Sequence, residues 1–137
     1  MLANEELKKD LSFDATNVED KLSRIPNLAV KWHDKLNEAK LTLAKLEISQ
    51  RNIRAKWWKY YCGHTNNEEG KRCPLVLDKK EILDFYLPDN PEVVDNHKRM
   101  EVCKAEIREY ENATKQVTQL YWSMKTWIEW RKFEAGA

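Results

Sequence analysis

The residues best suited to chemistry lie between positions 51 and 63, where cationic and aromatic side chains alternate at helical spacing. The run is Arg-Asn-Ile-Arg-Ala-Lys-Trp-Trp-Lys-Tyr-Tyr-Cys-Gly, and it contains no acidic residue. Cations attract a phosphodiester backbone, and aromatic faces accept stacked bases without regard to sequence. This run, named here the basic-aromatic segment, is therefore typical of a surface that binds single-stranded nucleic acid.

A purely structural role is the alternative interpretation of the basic-aromatic segment. In that case its tryptophans fill a core and its cations keep the opposite helix face solvated, as on many basic helices. Binding to a membrane surface is a weaker rival, because the lateral apolar face is short and is needed for packing. Trp57 lies on the core stripe and is assigned a structural role. The predicted nucleic-acid contacts are Arg51, Arg54, Lys56, Trp58, Lys59, Tyr60 and Tyr61.

Two other kinds of site fit the sequence less well. Cys62, His64 and Cys73, with the remote His97 or Cys103, suggest zinc, but a second closely spaced ligand pair is missing. The sequence has no glycine-rich phosphate loop, so we expect no binding or hydrolysis of ATP. Its acidic residues have cations three or four positions away, which indicates solvated ion pairs on helix faces and not acid-base catalysis. We therefore expect no metal, no cofactor and no catalytic residues. The predicted function is binding.

The composition indicates a helical intracellular protein. The chain has 137 residues, a net charge of +1, 34% charged residues and three glycines. Three cysteines do not form a disulfide framework, and no apolar run approaches the roughly 20 residues that span a bilayer. We expect a single domain in a reducing cytoplasm. A separate face for a basic protein partner is predicted from the acidic residues near the N-terminus, namely Glu5, Glu6, Asp10, Asp14, Glu19 and Asp20.

Local signals predict the helices of the first half. A short amphipathic helix is expected over residues 4–11, and Thr16 with Glu19 has the form of a capping box that starts a second helix near Asn17. Pro26 is expected to interrupt that helix or to open the next. A long helix is predicted over residues 27–61, with Gly63 as its C-terminal cap. Its apolar stripe is Trp32, Leu36, Ala39, Leu43, Leu46, Gln50, Ile53, Trp57 and Tyr60.

The second half is predicted to contain an exposed loop, a short helix and another long helix. The loop covers residues 64–74, Asp78 caps the short helix, and Asn90 caps a long helix that begins at Pro91. Spacings of three and four predict a helix-pairing seam along it. The seam is Met100, Cys103, Ile107, Tyr110, Thr114, Val117, Tyr121, Met124 and Ile128. We expect an all-α fold with two long helices packed together, plus short N-terminal and connecting helices, in segments 1–63, 64–90 and 91–137.

The C-terminal helix has a second apolar face. Leu120, Trp122, Trp127, Trp130 and Phe133 are expected to lie off the seam. A short chain rarely buries so many rings by itself, so self-association is predicted, with burial inside a monomeric bundle as the alternative. The predicted oligomerisation residues are Val117, Leu120, Tyr121, Met124, Trp127, Ile128, Trp130 and Phe133.

Three stretches together resemble the UvsY family of recombination mediators from T-even-type bacteriophages. They are residues 5–10 with 14–16, the basic helix that ends in Tyr-Tyr-Cys-Gly at residues 60–63, and the C-terminal residues 131–136. The length and the order of helices also agree, so the resemblance spans the whole chain. Within the family pattern, a basic–small–basic triplet precedes the tyrosine pair and contributes to DNA binding. That triplet corresponds to Arg54, Ala55 and Lys56 here.

The resemblance implies a protein that is not an enzyme. It implies binding to single-stranded DNA, assembly through the C-terminal helix into homo-oligomeric rings of about six or seven subunits, and no contact with membranes. The implied partners are a RecA-like phage recombinase and the single-strand-binding protein that it displaces, in the cytoplasm of an infected bacterium. This sequence places Trp57, Trp58 and Lys59 between the triplet and the tyrosines, one residue more than the family pattern. One extra residue turns the cations by about 100° around a helix.

Overall fold

The computed structural model describes residues 2–136, and every regular element among them is helical. In chain order the elements are α1 (Leu2–Leu11), α2 (Val18–Tyr61), α3 (Lys79–Glu81), a π-helical turn (Ile82–Tyr86), α4 (Leu87–Asp89) and α5 (Pro91–Glu134). The prediction of an all-α fold with two long helices and short additional ones is confirmed. A loop without regular structure connects α2 to α3, also as predicted.

The chain divides into two compact units, and α2 and α5 contribute residues to both. The terminal unit comprises Met1–Ala39 and Glu106–Ala137, and the central unit comprises Lys40–Ala105. In the terminal unit, Trp32 of α2 packs with Ala113 and Val117 of α5, and Ile25 packs in one cluster with Met124. In the central unit, α2 and α5 are joined by the polar contacts described below. The two long helices thus pack together within each unit.

Helix α1 is attached to α2 by an apolar contact and by a small group of charges. Leu7 belongs to the cluster around Trp32. Lys31 Nζ lies 2.7 Å from both Asp10 Oδ2 and Glu6 Oε1, and Lys35 Nζ lies 2.9 Å from Glu6 Oε2. Internal cations therefore bind the carboxylates of Glu6 and Asp10, so these two residues of the predicted acidic face are not unpaired charges.

Glu6 is expected to make stability depend on acid pH. The hydrogen bond from Lys31, followed by that from Lys35, lowers the pKa of Glu6 from 4.5 to about 2. The stabilisation is therefore complete above about pH 4.5 and is lost as the pH falls towards 2. Because the Glu6 side chain is 39% exposed, the contribution is at most about 1 kcal/mol.

Urea unfolding at several pH values measures this contribution. Below pH 4.5 the unfolding free energy of the Glu6→Gln variant should fall less steeply than that of the wild type, because the variant has no carboxylate at position 6 to be protonated. Glu5→Gln is the matched control, because Glu5 is exposed and makes no ion pair with any residue of the described part of the chain. Parallel pH curves for wild type and Glu6→Gln would contradict the assignment.

The N-terminal end of α2 differs from the prediction in two places. Asp14, not Thr16, accepts the hydrogen bonds there: its Oδ1 atom receives the backbone N–H groups of Thr16 and Asn17, at 2.9 and 3.2 Å, and the Thr16 hydroxyl at 2.6 Å. Pro26 neither interrupts α2 nor starts a helix, since α2 runs through it. Pro26 is exposed, so water can hydrate the carbonyl that it leaves unpaired, while its neighbour Ile25 is buried in the core.

The core face of α5 is displaced by one residue from the predicted seam in two turns. Ala113 and Leu120 are buried, whereas Tyr121, which the seam included, is 38% exposed. Val117 and Met124 of the seam stay buried as well, so the buried face is wider than a strict seam and includes the neighbouring positions, as on helices that pack into a core. The expectation that Leu120 lies off the seam was therefore wrong.

Candidate nucleic-acid interface

The basic-aromatic segment occupies the end of α2, which stops where the sequence predicted. Gly63 has φ +80°, a conformation that residues with a Cβ rarely adopt. Its N–H donates to Tyr60 O at 3.0 Å, and the N–H of His64 donates to Lys59 O at 2.9 Å. These bonds satisfy carbonyls of the last turn, as in a Schellman cap. The glycine thereby fixes the place where the basic helix ends.

Four rings form a cluster at this end of the helix. The ring centroids of Trp57 and Tyr60 are 5.3 Å apart, those of Tyr60 and Tyr61 are 5.4 Å apart, and Tyr61 lies 5.6 Å from Tyr86 of the π-helical turn. The Tyr61 hydroxyl also accepts a hydrogen bond of 3.0 Å from the amide of Asn90. Tyr61 is thus held within the central unit, and its ring is shared with the local packing.

Trp58 is placed differently from the other rings of the segment. It is half-buried, and it makes no ring contact with any residue between 2 and 136. Trp57, by contrast, contacts both tyrosines and donates its indole N–H to a carboxylate of α5. Trp57 thus lies in the packing, as the sequence indicated, and Trp58 lies outside the ring cluster, whereas Tyr61, which was grouped with Trp58 as a candidate for the strand, belongs to the cluster.

Lys56 is engaged by carboxylates. Glu92 Oε2 accepts a 3.1 Å hydrogen bond from Lys56 Nζ and a 2.6 Å hydrogen bond from Trp57 Nε1, and Glu68 lies 3.6 Å from the same ammonium group. The indole N–H, followed by the ammonium, lowers the pKa of Glu92, and the hydrogen bond to Glu92 raises the pKa of Lys56. Lys56 is therefore already paired with carboxylates of the protein itself.

The other cations of the segment lack such partners. Arg51 and Lys59 are exposed and Arg54 is half-buried, and none of them forms an ion pair with a residue that the structure describes. Among the predicted contacts, these three cations are the ones available to an external anion.

A buried polar contact joins α2 and α5 beside these cations. The Asn96 side chain is 4% exposed, and its amide donates to Gln50 Oε1 at 2.8 Å and to Leu46 O at 3.1 Å. The Gln50 amide in turn donates to Val93 O at 3.3 Å. These bonds hold one turn of α2 against one turn of α5, immediately before Arg54 along the chain.

Sequence reasoning missed the share of α5 in this site. Hydrogen bonds that span 29 to 46 positions of sequence connect the start of α5 to α2. They join Glu92 to Trp57, Asn90 to Tyr61, and Asn96 to Gln50. One available signal was the pair of helix boundaries: the glycine stop at Gly63 and the Asn90-Pro91 start. Since antiparallel packing brings the end of one long helix to the start of the next, those boundaries would have placed the two segments together.

The predicted oligomerisation residues separate into inward and outward groups. Val117, Leu120 and Met124 are buried in the core of the terminal unit. Trp127 and Ile128 are half-buried and pack against the same core. The predicted rings that remain outside are Tyr121, Trp130 and Phe133, which are 38%, 59% and 72% exposed, and Trp122, which was not among the predicted residues, is exposed beside them at 57%.

Neither a metal centre nor a membrane span occurs within residues 2–136. No group of three or more His, Cys, Asp or Glu side chains in this range could hold a metal ion. Within the same range, no helix is sufficiently long and apolar to cross a bilayer.

Comparison with known proteins agrees with the fold and with the resemblance seen in the sequence. Crystal structures of the bacteriophage T4 recombination mediator protein UvsY in lattice types I, II and IV superpose with TM-scores of 0.85, 0.82 and 0.82. Their sequence identities to this chain are 19%, 20% and 18%. The alignments cover 98%, 96% and 95% of this chain and 99%, 94% and 95% of the T4 chains.

At these identities the structural likeness shows the fold, and the family follows from the sequence match. No curated protein matches the sequence significantly. The family model described as "Recombination, repair and ssDNA binding protein UvsY" matches residues 6–137, nearly the whole chain. The chain therefore belongs to the UvsY family of recombination, repair and single-stranded-DNA-binding proteins, which are not enzymes.

Proposed function

We propose that this chain is a recombination mediator that holds single-stranded DNA on the basic-aromatic segment. It assists a RecA-like phage recombinase in replacing the single-strand-binding protein, in the cytoplasm of an infected bacterium. The observation that carries the proposal is the set of unpaired cations at the end of α2: Arg51, Arg54 and Lys59 form no ion pair with a described residue. Family membership supports the choice of single-stranded DNA as the anion.

The segment is suited to a strand of any sequence. Arg51, Arg54 and Lys59 would contact phosphates, which carry no sequence information. Trp58 and Tyr60 are half-buried and would offer faces for unpaired bases. Lys56 and Tyr61, which Glu92 and Asn90 hold, would support the site and contribute less to it directly.

Self-association would multiply this modest patch. The four outward rings of α5 supply an interface, and two of them, Trp130 and Phe133, stack with centroids 5.7 Å apart. Exposed rings of this kind are typical interface anchors, while Val117, Leu120 and Met124 would support the interface from inside the subunit. We propose a ring of about six or seven subunits, in which the strand is held by several weak sites at once.

One experiment tests both parts of the proposal. The Trp130→Ser/Phe133→Ser double variant changes only exposed side chains, so it should fold. It should be monomeric by light scattering and should bind an oligodeoxythymidylate about a hundredfold more weakly than the wild type, because avidity is lost. The wild type should also stimulate recombinase loading on DNA coated with single-strand-binding protein.

The alternative is a helical scaffold without nucleic-acid binding. A wild-type monomer with no salt-sensitive affinity for single strands would establish that alternative. A double variant that retained the wild-type mass and affinity would disprove the role of these rings and leave the strand-binding role of α2 in place.

A further inference from the structure

A groove in the central unit lies directly beside the basic-aromatic segment. Its volume is about 320 Å³, near the lower limit of ligand-sized pockets, which is roughly 300 Å³. It has room for one small unit of a longer ligand. Both long helices and α4 line it, through Gln50, Arg54, Pro88, Val93, Val94, His97 and Lys98.

The lining combines cationic and apolar side chains. Arg54 and Lys98 supply the cations, His97 adds an imidazole, and none of the residues that line the groove is acidic. Lys98 is exposed and has no ion pair with a described residue. The carboxylate nearest to His97 is that of Glu101, whose Oε1 atom lies 3.9 Å from His97 Nε2. Lys104 Nζ lies closer to the same Glu101 oxygen, at 3.2 Å. A nucleotide has the complementary composition, since its phosphate is anionic and its sugar and base present apolar surface.

The groove is held in place before any ligand arrives. Gln50, which lines it, is fixed from both sides: Asn96 donates to its carbonyl oxygen, and its own amide donates to the backbone of Val93. Arg54 lies one helical turn after Gln50, and His97 directly follows Asn96. A site that is organised in advance loses less entropy on binding.

We propose that this groove seats one nucleotide of the bound strand, with Arg54 and Lys98 on the same phosphate. Helix α5 thereby supplies part of the strand-binding site that the sequence placed on α2 alone. Val94, which is half-buried, contacts the sugar or base, and His97 donates a hydrogen bond to the nucleotide. This inference rests on the proposed binding of single-stranded DNA, and it adds α5 to the path of the strand.

The test uses Arg54→Ala, Lys98→Ala and the double variant of the full-length chain, with fluorescence anisotropy of a labelled oligodeoxythymidylate. Each single variant should bind at least threefold more weakly. The slope of log affinity against log salt should become shallower by about 0.7 in the double variant, which loses the one shared phosphate contact. Because the two cations share one phosphate, the loss in the double variant should differ from the product of the single losses by more than about twofold.

Lys115→Ala is the matched control, since Lys115 is an exposed α5 lysine of the terminal unit without an ion pair in the described part of the chain. It should retain the wild-type affinity. If Lys98→Ala behaves like this control while Arg54→Ala weakens binding, the inference is overturned and binding by α2 stands. Failure of the wild type to bind the strand overturns both proposals.

Two other outcomes also overturn the inference. Independent losses in the double variant would place the two cations on separate phosphates. The second probe is polyglutamate of matched length. If Lys98→Ala weakens polyglutamate binding and leaves oligodeoxythymidylate binding unchanged, the groove takes an acidic peptide. Equal thermal midpoints for all variants would show that the differences in affinity do not arise from unfolding.

Discussion

The Arg51→Glu/Arg54→Glu/Lys59→Glu variant is expected to lose at least about a thousandfold in affinity for single-stranded DNA near physiological salt. Each substitution removes a phosphate contact and adds repulsion, and an oligomer repeats the change in every subunit. On a single strand, the slope of log affinity against log salt changes by about 0.7 for each phosphate contact. The loss of three contacts should therefore make this slope shallower by about 2 for each subunit that contacts the strand. Fluorescence anisotropy over a series of salt concentrations measures both quantities. The fold should persist, because no described ion pair involves these cations.

A control of equal charge separates local contact from net charge. Lys8→Glu/Lys40→Glu/Lys115→Glu changes the charge by the same amount at exposed lysines that form no ion pair with described residues. This control should lose far less affinity. Equal losses in the two variants would mean that net charge alone governs binding. Wild-type affinity and salt slope in the first variant would exclude the basic-aromatic segment as the binding site.

The Trp32→Ala variant is expected to lose about 3–5 kcal/mol of unfolding free energy, a large part of the stability of a small domain. Trp32 is 1% exposed and lies in the cluster that joins α1, α2 and α5 in the terminal unit. Its indole N–H also donates to Asp10 Oδ2 at 3.1 Å. The substitution therefore leaves a cavity and removes a donor from a carboxylate that anchors α1.

Urea unfolding followed by circular dichroism measures this loss. Trp32→Phe should cost less than Trp32→Ala, because it keeps an aromatic ring in the cluster and removes mainly the hydrogen bond. Val30→Ala is the surface control on the same helix, since Val30 is 59% exposed, and it should stay within about 0.5 kcal/mol of wild type. A cost below about 1 kcal/mol for Trp32→Ala would mean that the core closes around the cavity.

Helix ends that carry a local chemical signal were predictable from the sequence. Gly63 ends α2 in a left-handed conformation, Asp78 accepts the N–H of Glu81 at the start of α3, and Asn90 accepts the N–H groups of Glu92 and Val93 at the start of α5. Each signal acts within three residues, so the neighbouring sequence contains it completely. The apolar stripe of α2 was predictable for the same reason, because helical spacing is local.

Contacts that depend on three-dimensional packing were not predictable in this way. The sequence marks Lys56 as a cation, but only the fold brings Glu92 to it from 36 positions away. Without that contact, Lys56 and Arg54 look equivalent. The same limit applies to Leu120 and Tyr121, because both are compatible with helical spacing and only the packing on α2 buries one of them. The sequence thus placed the candidate site on α2, but it could not distinguish the paired cation of that site from the unpaired ones.

The amide pair of Asn96 and Gln50 has a consequence for how the chain folds. The apolar surface around it, which includes Leu43, Leu46 and Ile53, would tolerate a slip of one helix by a turn, about 5.4 Å, at little cost. A slip would leave the buried Asn96 amide without partners, at about 1–3 kcal/mol for a buried unsatisfied group, and would also break the hydrogen bonds of the half-buried Gln50. Misaligned pairings are thereby penalised during folding, much as a single buried asparagine selects one alignment in a coiled coil. The pair makes the native alignment the one with the lowest free energy.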